Sequence, residues 1–274
     1  MPELPEVQTV VSNLLPRVVG ARVRKVQLNR TDILTPAGTD LPSLLTGRTI
    51  TGVARRAKRI VITVDDTDRF YIHLGMSGQL TLAPAGTELK THTHLILHLA
   101  GTNGSTDAVE LRFRDPRRFG GIFWLGRDSA DSGLGPEPLT LRPARLAAAL
   151  ARTRRPIKSA LLDQTVIAGL GNIYADECLF LAGVHPLTPS NVLAPQKVAR
   201  LNRAIKQTLR KAIAARGSTL RDYVDADNQP GGYRSKHKVY GREGEPCRKC
   251  KTPITRIVLT GRSTCFCPRC QPQP

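Results

Sequence analysis

No run of about 18 apolar residues occurs in this sequence, and its N-terminus has no basic segment followed by an apolar one. A membrane-spanning helix and a secretory signal are therefore not expected. Cysteine is absent before Cys178, and five of the six cysteines lie within the last 28 residues. That distribution argues against a secreted disulfide framework. Together these absences predict a cytoplasmic protein that does not bind membranes.

Acidic residues are scarce relative to basic ones. The chain of 274 residues has 22 Asp and Glu against 41 Lys and Arg, which gives a formal charge of +19 and a pI near 10.4. Such an excess predicts a polyanionic partner, nucleic acid above all. A basic surface that serves solubility alone is the alternative, and charge by itself does not decide between them.

The apolar pattern changes along the chain. The first segment has the spacing of an amphipathic helix, which Gly20 is expected to end, and short alternating runs with turn residues between them then extend to about Leu125. Helical spacing returns in the second half. The pattern predicts an α+β protein: a first helix, then a β-sandwich, followed by a helical domain. The predicted strands are Val23–Leu28, Ile60–Val64, Phe70–Leu74, His94–Leu99, Val109–Phe113 and Ile122–Leu125.

We therefore expect an N-terminal domain over residues 1–130 and a linker over 131–138, inside a stretch rich in Gly, Pro, Ser and Asp. A helical domain over 139–237 and a metal-binding module over 238–274 follow. Residues 218–237 have no hydrophobic period and exceed the usual length of a connection, which indicates a functional or mobile loop.

The helix before that loop has a clear apolar stripe and a basic opposite face. Gly217 stands where a C-terminal cap belongs. The stripe consists of Val198, Leu201, Ile205, Leu209 and Ile213.

The most specific local signal is a pair of C-x2-C motifs separated by sixteen residues: Cys247, Cys250, Cys267 and Cys270. This spacing fits tetrahedral thiolate coordination of one zinc ion. Thr255–Leu259 and Thr264–Phe266 can form the hairpin that joins the two pairs, so a zinc ribbon is predicted. Disulfides or unpaired thiols are the alternatives. Cys265 could compete for metal, although a buried bystander is the simpler interpretation.

Four thiolates leave no open coordination position, so the zinc would be structural. The ribbon can hold the turn Thr260 to Ser263 rigidly and present the guanidinium of Arg262 to a phosphate. An ordinary surface arginine is the alternative. Asn172 follows Gly169 and Gly171 at an expected helix N-cap, where backbone amides can bind a phosphate. Its alternative is a tight turn between helices.

The N-terminal sequence PELPEV suggests chemistry. Removal of Met1 would expose the secondary amine of Pro2, which can attack an anomeric carbon and form an iminium. An α-amino group has an ordinary pKa of about 7.7 to 8.0, so part of it is neutral near pH 7. Glu3 and Glu6 lie on the same first turns and can exchange protons with the reacting groups. A proline and acids at a helix N-terminus are also favoured by backbone geometry and the helix dipole alone.

The PELPEV opening, the segment 169–175 (GLGNIYA) and the terminal C-x2-C pairs occur in this order. The chain thereby resembles the bacterial formamidopyrimidine-DNA glycosylases from residue 2 to Cys270. This resemblance implies a β-sandwich with flanking helices, a helix-two-turn-helix domain and a zinc finger, with DNA in the cleft between the domains.

The resemblance also implies a reaction. Pro2 would displace an oxidised purine and, as a Schiff base, promote two eliminations that cut the strand on both sides of the sugar. Glu3 would be the principal acid and base, with Glu6 in support. Lys58 would lie near the lesion and its phosphate. The resemblance also implies a catalytic role for Arg262. For Lys58, a solvated cation on a basic strand is the alternative.

A flipped nucleotide leaves a gap in the base stack that side chains can fill. The resemblance assigns this to Met76, Arg117 and Phe119, with Arg117 bonded to the orphaned cytosine. As alternatives, Met76 and Phe119 could be ordinary core residues and Arg117 a solvated turn residue.

By the same resemblance, the DNA contacts are His73, Arg118, Lys158 and Asn172. The expected partner is duplex DNA that carries an oxidised purine opposite cytosine, bound with a strong salt dependence. The protein is expected to be monomeric and associated with the nucleoid, with one structural zinc.

Two other functions remain open from the sequence. An endonuclease VIII-like glycosylase for oxidised pyrimidines shares Pro2, Glu3 and often the zinc finger, but has Gly in place of Leu4 and other void fillers. A non-enzymatic zinc-ribbon DNA-binding protein explains the charge and the cysteines. It leaves the acidic N-terminus unexplained.

Overall fold

The computed structural model describes residues 1–100, 108–127 and 133–273. The chain divides into two compact units. The first comprises residues 1–131 and 215–232, and the second comprises 132–214 and 233–274. The predicted loop 218–237 is thus divided between the units, and most of it belongs to the first.

The first unit begins with helix α1, Leu4–Val18, which carries Pro5 and Glu6 in its first turn. Both suit a helix start, since proline needs no N–H partner there and a carboxylate faces the positive end of the dipole. One face of the helix is buried and packs against strands β3 and β4. The helix ends at Val18, close to the predicted end, and Gly20 has a positive φ of 86°.

In the part of the first unit that the structure describes, nine strands form the sheets: β1 (Val23–Leu28), β2 (Leu34–Thr35), β3 (Ile50–Arg56), β4 (Arg59–Val64), β5 (Asp68–His73), β6 (Gln79–Pro84), β7 (Thr93–Leu99), β8 (Val109–Arg114) and β9 (Gly121–Gly126). A short helix α2, Leu41–Leu45, lies between β2 and β3. The six predicted strands are present within one or two residues at each end. The prediction did not include β2, β3, β6 or α2.

These strands make a four-stranded sheet in the order β1-β7-β8-β6 and a five-stranded sheet in the order β2-β9-β5-β4-β3. Alternate residues of both sheets and the buried face of α1 share one hydrophobic core. The alternating burial of β4 is typical of strands with one face packed inward. The predicted N-terminal β-sandwich with flanking helices is confirmed.

The second unit is helical, with a terminal hairpin. Its elements are α3 (Pro143–Ala151), α4 (Ile157–Leu162), α5 (Asn172–Ala182), α6 (Pro195–Ala214), β10 (Thr255–Leu259) and β11 (Arg262–Phe266). Short 3₁₀ turns occupy Ser190–Val192 and Tyr233–Lys236. This confirms the predicted α+β class with helical domain and hairpin. Within the described ranges, no helix has both the length and the apolar composition needed to cross a bilayer.

The segment predicted as a linker is hydrogen-bonded to the rest of the second unit. Of the linker over 131–138, residues 131–132 lie outside the described part. Gly135 N–H donates to Gln164 O at 2.7 Å, and Ala168 N–H donates to Pro136 O at 3.1 Å. These bonds hold residues 135–136 on the second unit.

In the predicted loop 218–237, Tyr223 and Ala226 belong to the hydrophobic core of the first unit. These two side chains anchor this part of the loop in the core.

Candidate functional site

The chain terminus is the first part of the site. Pro2 is buried, Glu3 and Glu6 are 2% and 1% exposed, and Met1 is half exposed. Glu3 is the N-cap residue of α1. One carboxylate oxygen of Glu6 accepts the N–H of Glu3 at 2.8 Å. The helix therefore begins directly at the residues that the sequence pattern predicted as catalytic.

Charged groups of both signs surround the terminal amine. Burial is the largest cause that lowers the pKa of the Met1 amine from its ordinary 8.0, and Arg117 and Lys58 lower it further, whereas Glu3 and Glu6 raise it. The structure thus brings five predicted site residues, Pro2 included, within electrostatic reach of one another. A neutral amine is favoured here, and carboxylates are present to stabilise a cation that forms on it.

Glu6 connects the start of α1 to residues far along the chain. Its second oxygen accepts the N–H of Ser218 at 2.7 Å, and the hydroxyl of Tyr223 donates to its backbone O at 3.2 Å. Gly217 has a φ of 76°, and a Cβ there would lie 2.7 Å from Glu6 Oε1. With both oxygens committed to backbone amides, Glu6 is placed to hold the site rather than to move protons.

Gly217 does not cap helix α6 as predicted. The helix ends at Ala214, three residues earlier, and Arg216 also has a positive φ of 62°. The glycine is required by the close approach of Glu6 instead. The sequence correctly indicated that a glycine is needed at this position, but the contact that requires it joins Gly217 to Glu6, 211 residues apart.

Lys58 lies in the two-residue turn between β3 and β4, where Arg56 pairs with Arg59. Ala57 has a φ of 53°, a left-handed conformation that costs a non-glycine residue roughly 1 kcal/mol. The Lys58 side chain is 8% exposed. It is therefore a largely buried cation near the terminal amine, not a solvated one.

The three predicted void fillers lie on two neighbouring loops of the first unit. Met76 is 41% exposed and Phe119 is 61% exposed. The guanidinium of Arg117 lies 5.6 Å from the centre of the Phe119 ring. Because both side chains are exposed, the alternative that Met76 and Phe119 are core residues is wrong.

Arg118 follows with a φ of 54° and donates to Asp32 Oδ2 at 3.0 Å. Arg30 is the larger of the two causes that lower the pKa of Asp32 to about 2, and Arg118 is the smaller. The Arg118 side chain, predicted to contact DNA, is exposed and shares this carboxylate.

His73 ends strand β5, and its Nδ1 accepts the N–H of Gly75 at 3.2 Å. Burial first, and then Lys58 and Arg59, lower the pKa of His73, while Asp115 raises it. The imidazole is therefore neutral at pH 7. Because Nδ1 accepts a hydrogen bond, the proton is on Nε2, which can donate to a phosphate oxygen.

The four predicted zinc ligands converge in the second unit. Their sulfur atoms lie within 4.8 Å of one another, with Cys247 and Cys270 4.0 Å apart and Cys250 and Cys267 3.4 Å apart. Four thiolates around zinc at about 2.3 Å stand about 3.8 Å from each other. These residues fit one zinc ion, and Cys265 is not a member of the cluster.

Lys158 is placed differently from the prediction. It is 0% exposed, and its ammonium lies 2.7 Å from Asp176 Oδ1 and donates to Ser263 O at 2.7 Å and Thr264 Oγ1 at 2.8 Å. An ammonium group has three donors. Two of them form the hydrogen bonds to Ser263 and Thr264, and the buried ion pair with Asp176 also holds the ammonium inside the protein, so the structure does not support Lys158 as a phosphate contact.

Asn172 is the first residue of α5, and Gly171 is its N-cap, so the predicted N-cap role of Asn172 is wrong. Its side-chain amide donates to Ser263 O at 3.0 Å. Arg262 is exposed and is the first residue of β11, one step beyond the two-residue turn of the hairpin. Asn172 thus anchors the backbone beside Arg262.

Several residues of the site were missed. Asp115 is buried beneath the void-filling loops, and Asp176 accepts the N–H of Cys265 at 2.9 Å. Glu177 accepts three consecutive N–H groups, those of residues 238–240, at 2.8 to 3.0 Å. The sequence shows these acids as ordinary polar residues, because their partners are distant in the chain.

Three family models match the chain. The formamidopyrimidine-DNA glycosylase N-terminal domain matches residues 1–122, the H2TH domain of the same enzymes matches 134–224, and a zinc finger found in these enzymes and in IleRS matches 244–273. Together they cover most of the chain in the order that the sequence predicted. The zinc-finger match and the four-sulfur cluster establish one structural zinc.

Curated relatives extend over nearly the full length. A formamidopyrimidine-DNA glycosylase of Chloroflexus aurantiacus is 43% identical over 99% of this chain and 98% of its own length. That of Rhizorhabdus wittichii is 45% identical over 99% of this chain and all of its own. That of Geobacillus kaustophilus is 40% identical over the same shares.

Solved structures agree with the fold. A variant of the Lactococcus lactis enzyme, bound to DNA that contains Fapy-dG, superposes with a TM-score of 0.91 at 34% identity, covering 99% of this chain and all of its own. The same enzyme bound to DNA with an abasic site has the same TM-score. A further complex of it contains an oxidised pyrimidine, with a TM-score of 0.90.

Proposed function

Because this chain belongs to the formamidopyrimidine-DNA glycosylase family, we propose that it removes oxidised purines from duplex DNA, with the nitrogen of Pro2 as nucleophile. The proposed substrates are 8-oxoguanine and formamidopyrimidines. The setting of the chain terminus carries the proposal: the partly buried Met1 amine has two carboxylates and two cations close by, and Pro2 is buried beside it.

The first step needs a free amine. Removal of Met1 turns the amide nitrogen of Pro2 into a secondary amine, whose lone pair attacks C1′ of the flipped nucleotide. The C1′–N9 bond breaks, and the base leaves with the bonding electrons and takes up a proton. The ammonium formed at Pro2 gives up its own proton to the Glu3 carboxylate. Burial and the cations Lys58 and Arg117 lower the pKa of the Met1 amine. Pro2 is buried directly beside it, so the same surroundings are expected to favour the neutral form of the Pro2 amine, because each of them opposes a positive charge on the nitrogen.

The second step opens the sugar. The Glu3 carboxyl donates a proton to O4′ as the C1′–O4′ bond breaks, leaving an iminium between Pro2 and C1′. Loss of a proton from C2′ then expels the 3′ phosphate, and a further elimination expels the 5′ phosphate. These β and δ eliminations are the proposed AP lyase activity. Glu6 holds Glu3 and the loop backbone through the two hydrogen bonds described above.

Recognition is proposed to involve both units. Met76, Arg117 and Phe119 fill the gap that the nucleotide leaves, and Arg117 bonds to the opposite cytosine. His73, Arg118, Asn172 and Arg262 contact the backbone. The excess of positive charge supports duplex DNA as the partner. A monomer in the cytoplasm, associated with the nucleoid, completes the proposal.

The test is covalent capture. Borohydride reduces an iminium to a stable adduct, so the protein is mixed with duplexes that carry 8-oxoguanine opposite cytosine. Processed protein should form an adduct, and protein of the same sequence that retains Met1, identified by its intact mass, should form none. Pro5→Ala is the matched control, since it alters another proline of the same helix start. It should react at the wild-type rate within about twofold.

An adduct of equal yield with Met1 retained would refute Pro2 as nucleophile. A second duplex with an oxidised pyrimidine separates the candidate functions. The Lactococcus lactis enzyme has been crystallised with such DNA, so some reaction there is compatible with the proposal, whereas a faster reaction than with 8-oxoguanine favours the endonuclease VIII-like function. A DNA-binding protein without enzymatic activity would give no adduct with either duplex.

A further inference from the structure

Residues 73–78 and 115–120, called here the wedge loops, carry the side chains assigned to void filling. These side chains are exposed, yet the backbone beneath them is buried: Ser77 is 4% exposed and Asp115 is 0% exposed. A buried carboxylate under an exposed apolar surface is costly unless its oxygens are hydrogen-bonded.

Both oxygens of Asp115 are used, and each binds a different wedge loop. Oδ1 accepts the hydroxyl of Ser77 at 2.6 Å, and Oδ2 accepts the N–H of Gly120 at 2.7 Å. Ser77 Oγ in turn accepts the N–H of Arg117 at 3.2 Å. Ser77 follows Met76 and Gly120 follows Phe119, so the network reaches the backbone at or beside every void filler.

Close backbone packing joins the same loops independently. A Cβ on Gly75, whose φ is 58°, would lie 2.3 Å from the carbonyl carbon of Phe119. A Cβ on Gly120 would lie 2.4 Å from the carbonyl oxygen of His73. Such distances are far inside van der Waals contact, so the two backbones touch with no side chain between them.

We propose that Asp115 is a positioning residue that joins Met76, Arg117 and Phe119 into one preformed wedge. Loops whose backbone is fixed before DNA arrives hold the three side chains close to one another, so less conformational freedom is lost when they enter the base stack, which lowers the barrier to extrusion of the nucleotide. The inference rests on the proposed glycosylase function, since a wedge matters only where a nucleotide leaves the helix.

Two substitutions weaken the network without changing side-chain size greatly. Asp115→Asn keeps the shape of the side chain, but one carboxylate oxygen is replaced by an amide nitrogen, which is a donor. This nitrogen faces either the Ser77 hydroxyl or the Gly120 N–H, both of which donate to Asp115 in the wild-type protein. Ser77→Ala removes the link to Arg117 and leaves Asp115 in place. Asp32→Asn is the matched control, because Asp32 contacts Arg118 of the same loop from the exposed side.

The experiment compares two substrates in single-turnover borohydride capture. One is a duplex with 8-oxoguanine opposite cytosine. The other is a single-stranded oligonucleotide with an abasic site, which has neither an opposite base nor a stack to open. Asp115→Asn and Ser77→Ala should react at least tenfold more slowly with the duplex and within twofold of wild type with the single strand. Asp32→Asn should be within twofold on both.

Equal losses on both substrates would overturn the proposal, since Asp115 would then support the fold as a whole. Unchanged rates on the duplex would also overturn it. If Asp115→Asn fails to fold, Ser77→Ala decides the matter with the same two substrates. If wild-type protein forms no adduct with either substrate, the proposed function itself fails, and this inference fails with it.

Discussion

Two arginines assigned to DNA are held in place by different means. The loop of Arg117, in the first unit, is held by the buried carboxylate of Asp115 and by backbone contact between the wedge loops. The hairpin of Arg262, in the second unit, is held by the zinc cluster and by side chains of α4 and α5, Lys158 and Asp176 among them. One loop depends on hydrogen bonds within a large core, and the other on a metal and a buried ion pair.

The cores behind them explain the difference. The β-sandwich buries side chains from both sheets and from α1 in one large cluster. The core of the zinc module consists of five buried residues, three of them cysteines: Val239, Cys247, Ile254, Cys265 and Cys267. So few apolar side chains do not offset the entropy of ordering the segment, and a metal supplies the missing stability. The two regions should therefore respond differently to the same treatments.

Removal of zinc should give the largest difference between the zinc module and the β-sandwich. A chelator is expected to unfold the hairpin and weaken binding to lesion DNA by at least about a hundredfold, because binding of a structural zinc is coupled to folding. Trp124 is the only tryptophan and lies in β9, stacked near Phe70. Its fluorescence reports on the first unit alone and should not change.

The matched variants are Cys267→Ser and Cys265→Ser. The first removes a member of the sulfur cluster and should behave like chelated protein. The second alters a neighbouring cysteine outside the cluster and should retain one zinc per chain. A shift of Trp124 emission on chelation would show that the two regions are not independent in this respect.

Breaking the buried ion pair comes next in size. Lys158→Met leaves the Asp176 carboxylate buried without its cation, which typically costs about 3–5 kcal/mol of folding free energy. Hydrogen exchange of residues 255–266 should accelerate, while amides of the β-sandwich keep their protection. The double variant Lys158→Met/Asp176→Leu should regain most of the stability, because it removes both charges.

This prediction has a pH dependence. Burial raises the pKa of Asp176 to about 7, and Lys158 is the main influence that opposes the rise. Without Lys158 the pKa of Asp176 in the folded protein rises further. At pH values between the unfolded pKa near 3.8 and this raised folded pKa, Asp176 of the variant is protonated in the folded state and ionised in the unfolded state, so stability is lost as the pH rises through that range. The stability deficit of Lys158→Met should therefore be smaller at pH 5 than at pH 8. An equal deficit at both values would exclude an ionised Asp176 as its cause.

The sequence predicted those features whose residues lie close together in the chain. The two C-x2-C pairs and the N-terminal motif are each short patterns within one segment of the chain. In the structure the four cysteines converge and the first helix begins at the N-terminal motif, as expected. Strand β3 was missed because Gly52 and Arg55 interrupt its alternation. The burial of Lys158 could not be predicted, since its partner Asp176 is eighteen positions away and its acceptors in β11 are more than a hundred away. A single charged side chain does not reveal its counterion.

The smallest effect distinguishes the roles of the two arginines. If Arg262 contacts one phosphate, Arg262→Ala should lower the slope of log K against log salt by about 0.9 and weaken lesion and undamaged duplexes equally. Arg117→Ala should leave that slope almost unchanged and reduce the preference for cytosine opposite the lesion, because it removes a contact to a base. Arg256→Ala, on strand β10 of the same hairpin and 3.7 Å from Glu243, is the control and should change neither. Equal salt slopes for Arg262→Ala and the Arg256→Ala control would mean that the hairpin presents no phosphate contact at Arg262, and the parallel between the two arginines would then be wrong.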